Sequence, residues 1–171
     1  MSEITHSPHS ASQSLGLALI VRKARLADAG EISKLINYYA EQQRMLPKTL
    51  LQIYENLRDY SVACESSVPE RVLGCGALHI YWENLAEIRA LAVAPELKGK
   101  GIGSLIVEHL LSEARSLGIA QVFCFTYEPR FFSRFGFVQV EHNAMPLKVY
   151  NECFHCPKFN KCDELAMVLY L

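Results

Sequence analysis

The sequence predicts a single α/β domain built around a mixed β-sheet with helices on its faces. The chain has 171 residues, a length that suits one domain with a substantial core. Half of the residues are hydrophobic and one fifth are charged, which is typical of a globular protein. Strand-like runs and runs of helical periodicity follow one another in the order β-α-α-β-β-β-α-β-α-β-β, which favours such a mixed architecture.

The N-terminal part of the chain predicts a tail, a strand and a helix. Residues 1–17 are rich in serine and histidine and have no apolar period, so we expect a mobile tail there and a domain at residues 18–171. The run LIVRKAR at 19–25 has strand character. Asp28 and Glu31 have the spacing of a capping box, which predicts the start of the first helix.

The middle of the chain predicts a short helix followed by a hairpin and a further strand. Pro47 and Thr49 are start signals for the short helix. The segment SSVPER at 66–71 is interpreted as the hairpin loop. The predicted strands of this region cover residues 60–65, 72–81 and 86–93.

The last third of the chain predicts two helices and three strands. A long helix is expected at residues 101–117, with Gly118 at the position that follows its C-cap. The elements after it are a strand at 120–127, a short helix at 129–135, and strands at 136–141 and 165–171.

A glycine-rich turn connects the strand at 86–93 to the helix at 101–117. It reads Lys98-Gly99-Lys100-Gly101-Ile102-Gly103. A strand that ends in such a turn and opens a helix presents backbone N–H groups beside the positive end of the helix dipole, which is an arrangement that binds phosphate. The spacing differs from the nucleotide P-loop and from the dinucleotide fingerprint. The alternative is a glycine turn with two solvated lysines.

The turn and its flanks resemble motif A of the GNAT superfamily of acetyl-CoA-dependent N-acetyltransferases. That motif runs Gln/Arg-x-x-Gly-x-Gly/Ala after a strand, and Lys98, Gly101 and Gly103 occupy its three positions here. The segment FFSRFGF resembles the Tyr-x-x-x-Gly-Phe ending of the same superfamily. Further segments, including RKARLADAGEISKLI, GCGAL, LAEIRALAVAP and MPLKVYNEC, are similar to amino-acid N-acetyltransferases of the N-acetylglutamate synthase type.

The resemblance implies a fold and a function. The implied fold is a central, twisted, mostly antiparallel sheet of about seven strands flanked by about four helices. The implied reaction is direct attack of the α-amine of L-glutamate on the thioester of acetyl-CoA, as in arginine biosynthesis. Another small amine or a protein N-terminus is the alternative acceptor. A sensor that binds acetyl-CoA without turnover is the alternative from another functional class.

The resemblance also implies where acetyl-CoA binds. Backbone N–H groups of the glycine turn would hold the pyrophosphate, and the pantetheine would lie along the strand at 86–93, where neighbouring strands splay apart. The residues expected at the coenzyme are Leu91, Ala92, Val93, Lys98, Gly99, Lys100, Gly101, Ile102, Gly103, Ser104 and Phe132.

Glu87 is the candidate general base, because the resembling enzymes carry a glutamate at this place on the strand. Strand alternation predicts that Glu87, Arg89, Leu91 and Val93 share one face. The alternative is a surface glutamate paired with Arg89. A base in this position would remove the proton from the attacking amine.

The candidate general acid differs from that of many GNAT enzymes. Phe132 stands where they carry a tyrosine, and a phenylalanine has no proton to give. Tyr127 and Ser133 are the possible substitutes. A coenzyme A thiolate can also leave without help, because its pKa is close to that of ordinary thiols.

Basic side chains are candidates for binding the carboxylates of an amino-acid substrate. Lys48, in the segment LPKT, matches a basic position of the synthase-like group and precedes a helix N-terminus. Arg89, Arg130 and Lys148 are further candidates, and surface solvation is the alternative for each.

Six cysteines divide into two groups. Cys64, Cys75 and Cys124 lie in strand-like runs, where we expect buried, reduced thiols. Cys153, Cys156 and Cys162 form a C-x2-C-x5-C pattern that can chelate zinc, with His155, His142 or Asp163 as a fourth ligand. We favour three reduced thiols that pack a loop, so no metal is expected here.

Charge and hydropathy limit the expected partners and location. The formal net charge is −1, which gives no reason to expect nucleic acid or an anionic membrane as a partner. The longest apolar run, residues 15–21, is too short to span a bilayer, and no basic residue precedes it as in a signal peptide. We therefore expect a cytoplasmic enzyme of a small-molecule substrate, for which a homodimer is an open possibility.

Overall fold

The computed structural model describes residues 18–145 and 152–171, so the predicted tail at 1–17 lies outside the described residues. In the described part, a seven-stranded sheet has the order β1-β2-β3-β4-β5-β7-β6. Every neighbouring pair is antiparallel except β4 and β5, which are parallel. The strands are β1 (Leu19–Lys23), β2 (Tyr60–Glu65), β3 (Val68–Trp82), β4 (Leu85–Val93), β5 (Gln121–Thr126), β6 (Val138–Val140) and β7 (Leu165–Tyr170).

Four α-helices accompany the sheet in this part of the chain, as predicted. They are α1 (Ala29–Glu41), α2 (Leu50–Glu55), α3 (Ile102–Ser116) and α4 (Pro129–Ser133). The mixed, mostly antiparallel architecture is therefore confirmed. None of the helices within residues 18–145 and 152–171 combines the length and the apolar character needed to cross a bilayer.

The two helix starts predicted from capping signals have different outcomes. Thr49 caps α2 as expected, since its hydroxyl accepts the N–H of Gln52 at 3.2 Å and the Gln52 side chain accepts the N–H of Thr49 at 2.9 Å. Asp28 is the N-cap residue of α1, which begins at Ala29, so the predicted helix start is confirmed, but the predicted capping box was wrong. Its carboxylate makes no cap bond to α1, because it accepts two hydrogen bonds from Arg22, at 2.7 and 3.0 Å, and one from the N–H of Arg25.

The predicted hairpin loop at 66–71 was also wrong, because only residues 66 and 67 form the turn between β2 and β3. Val68 already pairs with Glu65, and the register then shifts before Cys64 pairs with Val72. The carbonyl of Pro69 accepts a hydrogen bond of 2.7 Å from the Arg22 guanidinium. A bulge in the strand thus accommodates a polar, proline-containing segment that has the composition of a loop.

Helix α3 packs on one face of the sheet, and α1 with α2 on the other. The approach of α3 depends on two glycines of β3. A Cβ at Gly74 or Gly76 would lie 3.0 or 2.8 Å from side-chain carbons of Ile106, which is fully buried. At the far end, Gly118 follows α3 with φ of 76°, which confirms its predicted position after the C-cap.

A bulge interrupts β4. Cys75 of β3 pairs with Ala92, and Ala77 pairs with Arg89, so Gly76 alone faces the two residues Ala90 and Leu91. Ala90 has φ of 53°, a left-handed conformation that is uncommon outside glycine. The extra residue reverses the alternation of side chains along the second half of the strand.

The predicted common face of β4 was therefore wrong. Leu91 and Val93 pack with the core beneath α3, whereas Ala92 packs with the core beneath α1. Before the bulge the phase is opposite: Ile88 belongs to the α3 side, which leaves Glu87 and Arg89 on the side of α1 and α2.

Strands β4 and β5 diverge. Their parallel pairing covers only Leu85, Ala86 and Glu87 of β4. Both strands continue, β4 to Val93 and β5 to Thr126, without pairing to each other. The edge of β4 that follows Glu87 is thus open toward β5, and a cavity forms there.

Candidate active site

A cavity of about 950 Å³ opens between the diverging ends of β4 and β5. One end of it is formed by the glycine turn, the start of α3 and helix α4. The other end is formed by α1, the loop before α2, the turn after β5 and the segment that precedes β7. The predicted residues that line it are Lys48, Glu87, Arg89, Leu91, Ala92, Val93, Lys98, Gly99, Gly101, Ile102, Gly103, Ser104, Tyr127 and Phe132, together with the three loop cysteines.

The glycine turn has the geometry of an anion site. Gly99 and Gly101 have φ of 80° and 85°, and a Cβ at either position would meet no protein atom within 4 Å. Gly101 is the N-cap of α3, and the N–H of Leu105 bonds to its carbonyl at 3.1 Å. The N–H groups that precede Leu105 have no carbonyl partner within the helix, and the residues that carry them line the cavity. The first turn contains no acidic residue that would repel an anion.

The walls beside this turn are aromatic. A Cβ at Gly103 would lie 3.5 Å from the ring of Phe131. Phe131 makes an edge contact with Phe132, whose ring centroid is 5.1 Å away. Phe132, at the position where resembling enzymes carry a tyrosine, is buried and packs in addition against Phe137.

Glu87 lies at the point where β4 and β5 separate, and it is only 2% exposed. The hydroxyl oxygen of Tyr81 lies 3.4 Å from its carboxylate, and a guanidinium nitrogen of Arg89 lies 3.9 Å away. A buried carboxylate that lines a cavity and faces the open edge of a strand can take a proton from a bound amine.

Arg89 is held by several acidic and polar groups rather than pointing freely into the cavity. It donates to Glu152 at 2.9 Å and to the Asn56 side chain at 3.4 Å, and it lies 3.8 Å from Asp59. Asp59 in turn contacts His79 at 2.6 Å. The Arg89 guanidinium therefore joins the residues between α2 and β2 to the segment before β7.

Tyr81 joins the two carboxylates of this cluster. Its hydroxyl donates a hydrogen bond to Glu152, and its oxygen also contacts the Glu87 carboxylate. Burial and the negative charges of Glu87 and Glu152 raise the pKa of Tyr81 strongly, so the phenol stays protonated. No sequence pattern indicated Tyr81 or Glu152 as site residues, because their contact joins positions 71 residues apart.

Tyr127, a candidate general acid, lies in the cavity wall at the end of β5. Its hydroxyl donates to Asp163 at 2.7 Å and accepts from Lys158 at 3.2 Å. Burial and the hydrogen bond to Asp163 raise its pKa. The phenol thus keeps its proton at neutral pH, as a donor must, although that proton is directed at Asp163.

The loop before α2 forms one rim of the cavity. Asn37 of α1 clamps the backbone of Lys48, since its side chain donates to the Lys48 carbonyl at 2.9 Å and accepts from the Lys48 N–H at 3.1 Å. Arg44 forms a close ion pair across the cavity with Glu128. These contacts position Lys48 in the wall as the sequence predicted.

Three of the predicted site residues that the structure describes are not brought to the cavity. Ser133 is exposed, and its hydroxyl donates to the carbonyl of Pro129 within α4 at 2.9 Å. Arg130 and Lys100 are exposed and do not line the cavity. Lys148 lies outside the described residues.

The cysteines keep to the two groups seen in the sequence. Cys64, Cys75 and Cys124 are buried free thiols, and burial raises the pKa of Cys75 to about 12. Cys153, Cys156 and Cys162 line the cavity, and the Cys156 sulfur accepts the N–H of Lys158 at 3.4 Å. Among the described residues, no three His, Cys, Asp or Glu side chains come together as a metal site would require.

Tyr39 of α1 lines the cavity, although it is not among the predicted site residues. Its hydroxyl donates to the carbonyl of Val93 at 2.7 Å. Burial raises its pKa. The contact ties α1 to the end of β4 where the strand enters the glycine turn, so α1 fixes the open edge of β4 relative to the start of α3.

Known proteins share this fold and these segments. Over 148 residues, 42% of positions are identical to an uncharacterized N-acetyltransferase of Chlorobaculum tepidum, across 86% of this chain and 94% of that protein. An amino-acid acetyltransferase of Mycobacterium tuberculosis is 41% identical over 78% of this chain and 76% of its own length. Against longer amino-acid acetyltransferases, such as that of Ralstonia nicotianae, the chain spans only 30% of the relative.

Solved structures of other proteins share the fold of this chain. A Mycobacterium tuberculosis protein crystallised with CoA and NLQ superposes with a TM-score of 0.77 at 34% identity, covering 89% of this chain and 99% of the other. N-acetylglutamate synthase from Neisseria gonorrhoeae, with coenzyme A and N-acetyl-glutamate, has a TM-score of 0.77 at 23% identity, covering 90% of this chain and 35% of the synthase, and supports the fold. Residues 27–137 match the Acetyltransferase (GNAT) family. With its glycine turn at the start of α3 and its open β4 edge, the chain belongs to the GNAT family and is an acetyltransferase.

Proposed function

We propose that this acetyltransferase transfers the acetyl group of acetyl-CoA to the α-amine of an amino acid, with L-glutamate as the acceptor. The proposal depends on one observation: the glycine turn before α3 and the buried carboxylate of Glu87 line the same cavity. The amino-acid acetyltransferase that is 41% identical to this chain supports the substrate class. Glutamate acetylation would be a cytoplasmic step of arginine biosynthesis.

The coenzyme site follows from backbone geometry. First-turn N–H groups of α3 and the helix dipole hold the pyrophosphate, and the left-handed glycines leave the space above the turn open for it. The amide-rich pantetheine pairs with the edge of β4 that β5 leaves open between Ile88 and Val93. Backbone N–H groups on this edge stabilise the thioester oxygen as it gains negative charge.

The proposed reaction needs one proton removed from the attacking amine and one proton added to the leaving thiolate. The amine nitrogen forms a bond to the thioester carbon and loses its proton to the Glu87 carboxylate, and the carbon–sulfur bond then breaks. The leaving thiolate takes its proton either from Tyr127, whose raised pKa keeps it protonated, or from water. Phe132 contributes packing beside the thioester rather than a proton.

Recognition of a glutamate side chain would depend on basic residues at the end of the cavity formed by α1 and the loop before α2. Lys48 is fixed in the wall by Asn37, and Arg89 and Arg44 line the same end. A cation at this end that pairs with the side-chain carboxylate of the substrate favours glutamate over a neutral amino acid, which cannot form that ion pair.

One observation favours a second class of acceptor, namely amino acids with neutral side chains such as glutamine. Arg89 pairs with Glu152, and Arg44 pairs with Glu128, so carboxylates of the protein already neutralise both arginines at this end. A substrate carboxylate that binds either arginine has to displace these partners.

The test compares kcat/KM for L-glutamate and L-glutamine, measured by release of the CoA thiol. The proposal expects glutamate to be preferred by at least about tenfold, and Lys48→Met to raise the KM for glutamate with acetyl-CoA affinity unchanged. Lys34→Met, at an exposed lysine of α1 outside the cavity lining, is the control for the loss of one positive charge. Equal kcat/KM values for the two amino acids would contradict recognition of the side-chain charge, and a preference for glutamine would establish the second class.

A further inference from the structure

Arg134 differs from the other arginines that line the cavity. Arg44 and Arg89 are both engaged by carboxylates of the protein. Arg134, directly after α4, is exposed and lines the cavity, and no carboxylate in the described part of the chain lies within ion-pair distance of it. Its charge is therefore available to a ligand.

The guanidinium of Arg134 is held beside the start of α3. It lies 5.1 Å from the centroid of the Phe131 ring and stacks over that ring. The tip of the same ring faces Gly103, where a Cβ would lie 3.5 Å from it. Phe131 thus contacts the first turn of α3 through its edge and the guanidinium through its face, at the end of the cavity that also contains Lys98.

This end of the cavity has an unbalanced positive charge. The carboxylates that line the cavity are Glu87, Glu128, Glu152 and Glu164. Glu128 is the N-cap residue of α4 and is paired with Arg44, the others belong to β4 or to the segment before β7, and none belongs to the glycine turn. Lys98, Arg134 and the dipole of α3 therefore face the same space without an acidic counterpart among the described lining residues.

We propose that Arg134 binds the 3′-phosphate of the coenzyme and so selects acetyl-CoA over its 3′-dephospho form. The inference rests on the proposed coenzyme site, in which the amides of α3 take the pyrophosphate. The ribose phosphate is the other anionic group of the coenzyme, and a guanidinium set apart from the first turn by Phe131 is placed for it. The planar fork of arginine matches phosphate oxygens in a bidentate manner, and stacking on Phe131 orders the fork in advance.

The experiment measures the dissociation constants of CoA and 3′-dephospho-CoA by calorimetry for the unmodified protein, Arg134→Gln and Arg115→Gln. Arg115 is an exposed arginine at the opposite end of α3 and controls for the loss of one positive charge. We expect Arg134→Gln to weaken CoA binding by about 10- to 100-fold with the dephospho-CoA affinity unchanged. Arg115→Gln should retain both affinities, and Arg134→Lys should give an intermediate loss for CoA.

Two outcomes would overturn the assignment. Equal weakening of both ligands in Arg134→Gln would place Arg134 at the pyrophosphate or give it a structural role. An unchanged affinity for CoA would remove Arg134 from coenzyme binding altogether. A failure of the unmodified protein to bind CoA would instead overturn the proposed coenzyme site, and with it this inference. Because Arg134 is exposed, circular dichroism should show the same fold and unfolding transition in all variants.

Discussion

Glu87 combines burial with access to the cavity, which makes it the residue on which the proposed chemistry depends. We expect Glu87→Gln to lower kcat by about 10²- to 10⁴-fold, because the amide keeps the shape of the side chain and cannot take a proton. The coenzyme affinity should stay within about twofold, since the glycine turn is untouched. Steady-state kinetics with calorimetric binding of acetyl-CoA measures both quantities.

Glu83→Gln is the matched control for this substitution. Glu83 is exposed in the turn between β3 and β4 and does not line the cavity. Its kcat should equal that of the unmodified enzyme. If Glu87→Gln also retained full turnover across the pH range, Glu87 would have no role as the base.

Asp28 shows how one buried residue couples stability to pH. Burial raises the pKa of its carboxyl group, but hydrogen bonds from Arg22 and from the N–H of Arg25 outweigh burial and lower the pKa overall. A group whose pKa is lower in the folded state stabilises the protein above its unfolded pKa, and this contribution is lost as the pH falls through the folded pKa. Asp28→Asn should therefore reduce the free energy of unfolding at pH 7, by about 3 kcal/mol, because it leaves Arg22 without its partner.

The measurement for Asp28 is urea unfolding of both proteins at pH 7 and at about pH 3. The difference in the free energy of unfolding between the unmodified protein and the variant should shrink at the lower pH, because protonation removes the charge of the Asp28 carboxyl group. A difference that is constant between the two pH values would mean that the loss comes from changed shape rather than from charge.

At the scale of elements, helix α3 carries a left-handed glycine at each end. Gly101 and Gly118 have φ of 85° and 76°, and a Cβ at either would meet no protein atom within 4 Å. Valine at either position should cost about 1–2 kcal/mol of stability through backbone strain. Gly101→Val should also weaken acetyl-CoA binding by at least about tenfold, because the new side chain occupies the space above the first-turn amides.

Gly118→Val is the control, since it introduces the same strain at the far end of the helix. Thermal unfolding and calorimetric titration with acetyl-CoA separate the two effects. Similar coenzyme affinities in the two folded variants would show that the pyrophosphate does not bind at the start of α3.

Strand β3 and helix α3 approach each other closely at Gly76. A Cβ there would lie 2.8 Å from Ile106 and 3.2 Å from Leu110, both fully buried. Gly76→Ala should lower the free energy of unfolding by about 1–3 kcal/mol through overpacking. Gly30→Ala in α1, where a Cβ meets nothing within 4 Å, should leave stability unchanged or raise it by up to about 1 kcal/mol. Urea unfolding measures both, and equal stabilities would mean that α3 shifts to admit the methyl group.

At the scale of the whole molecule, local pattern predicted the architecture because each element carries its own periodicity. The apolar stripe of α3 and its flanking Gly101 and Gly118 define that helix without reference to the rest of the chain. The glycine turn was predicted for the same reason, since positive φ angles and free N–H groups are properties of the local backbone.

Features that depend on distant contacts were not predictable in this way. The β4 bulge places a non-glycine residue, Ala90, at positive φ. The bulge is defined by the pairing with β3, where Gly76 faces two residues of β4. The hydrogen bond of Arg89 to Glu152 joins positions 63 residues apart. Sequence alternation therefore assigned Leu91 and Val93 to the wrong face and gave no indication that Arg89 is held by the protein's own carboxylates.

The central claim is that the cavity joins acetyl-CoA to the α-amine of an amino acid. The most direct measurement incubates the protein with acetyl-CoA and each of the twenty amino acids in turn, and follows thiol release together with the mass of the product. The account predicts N-acetyl-L-glutamate in a one-to-one ratio with released CoA, and loss of both signals in Glu87→Gln. Acetyl-CoA binding without an acetylated product from any of the twenty amino acids would contradict the account.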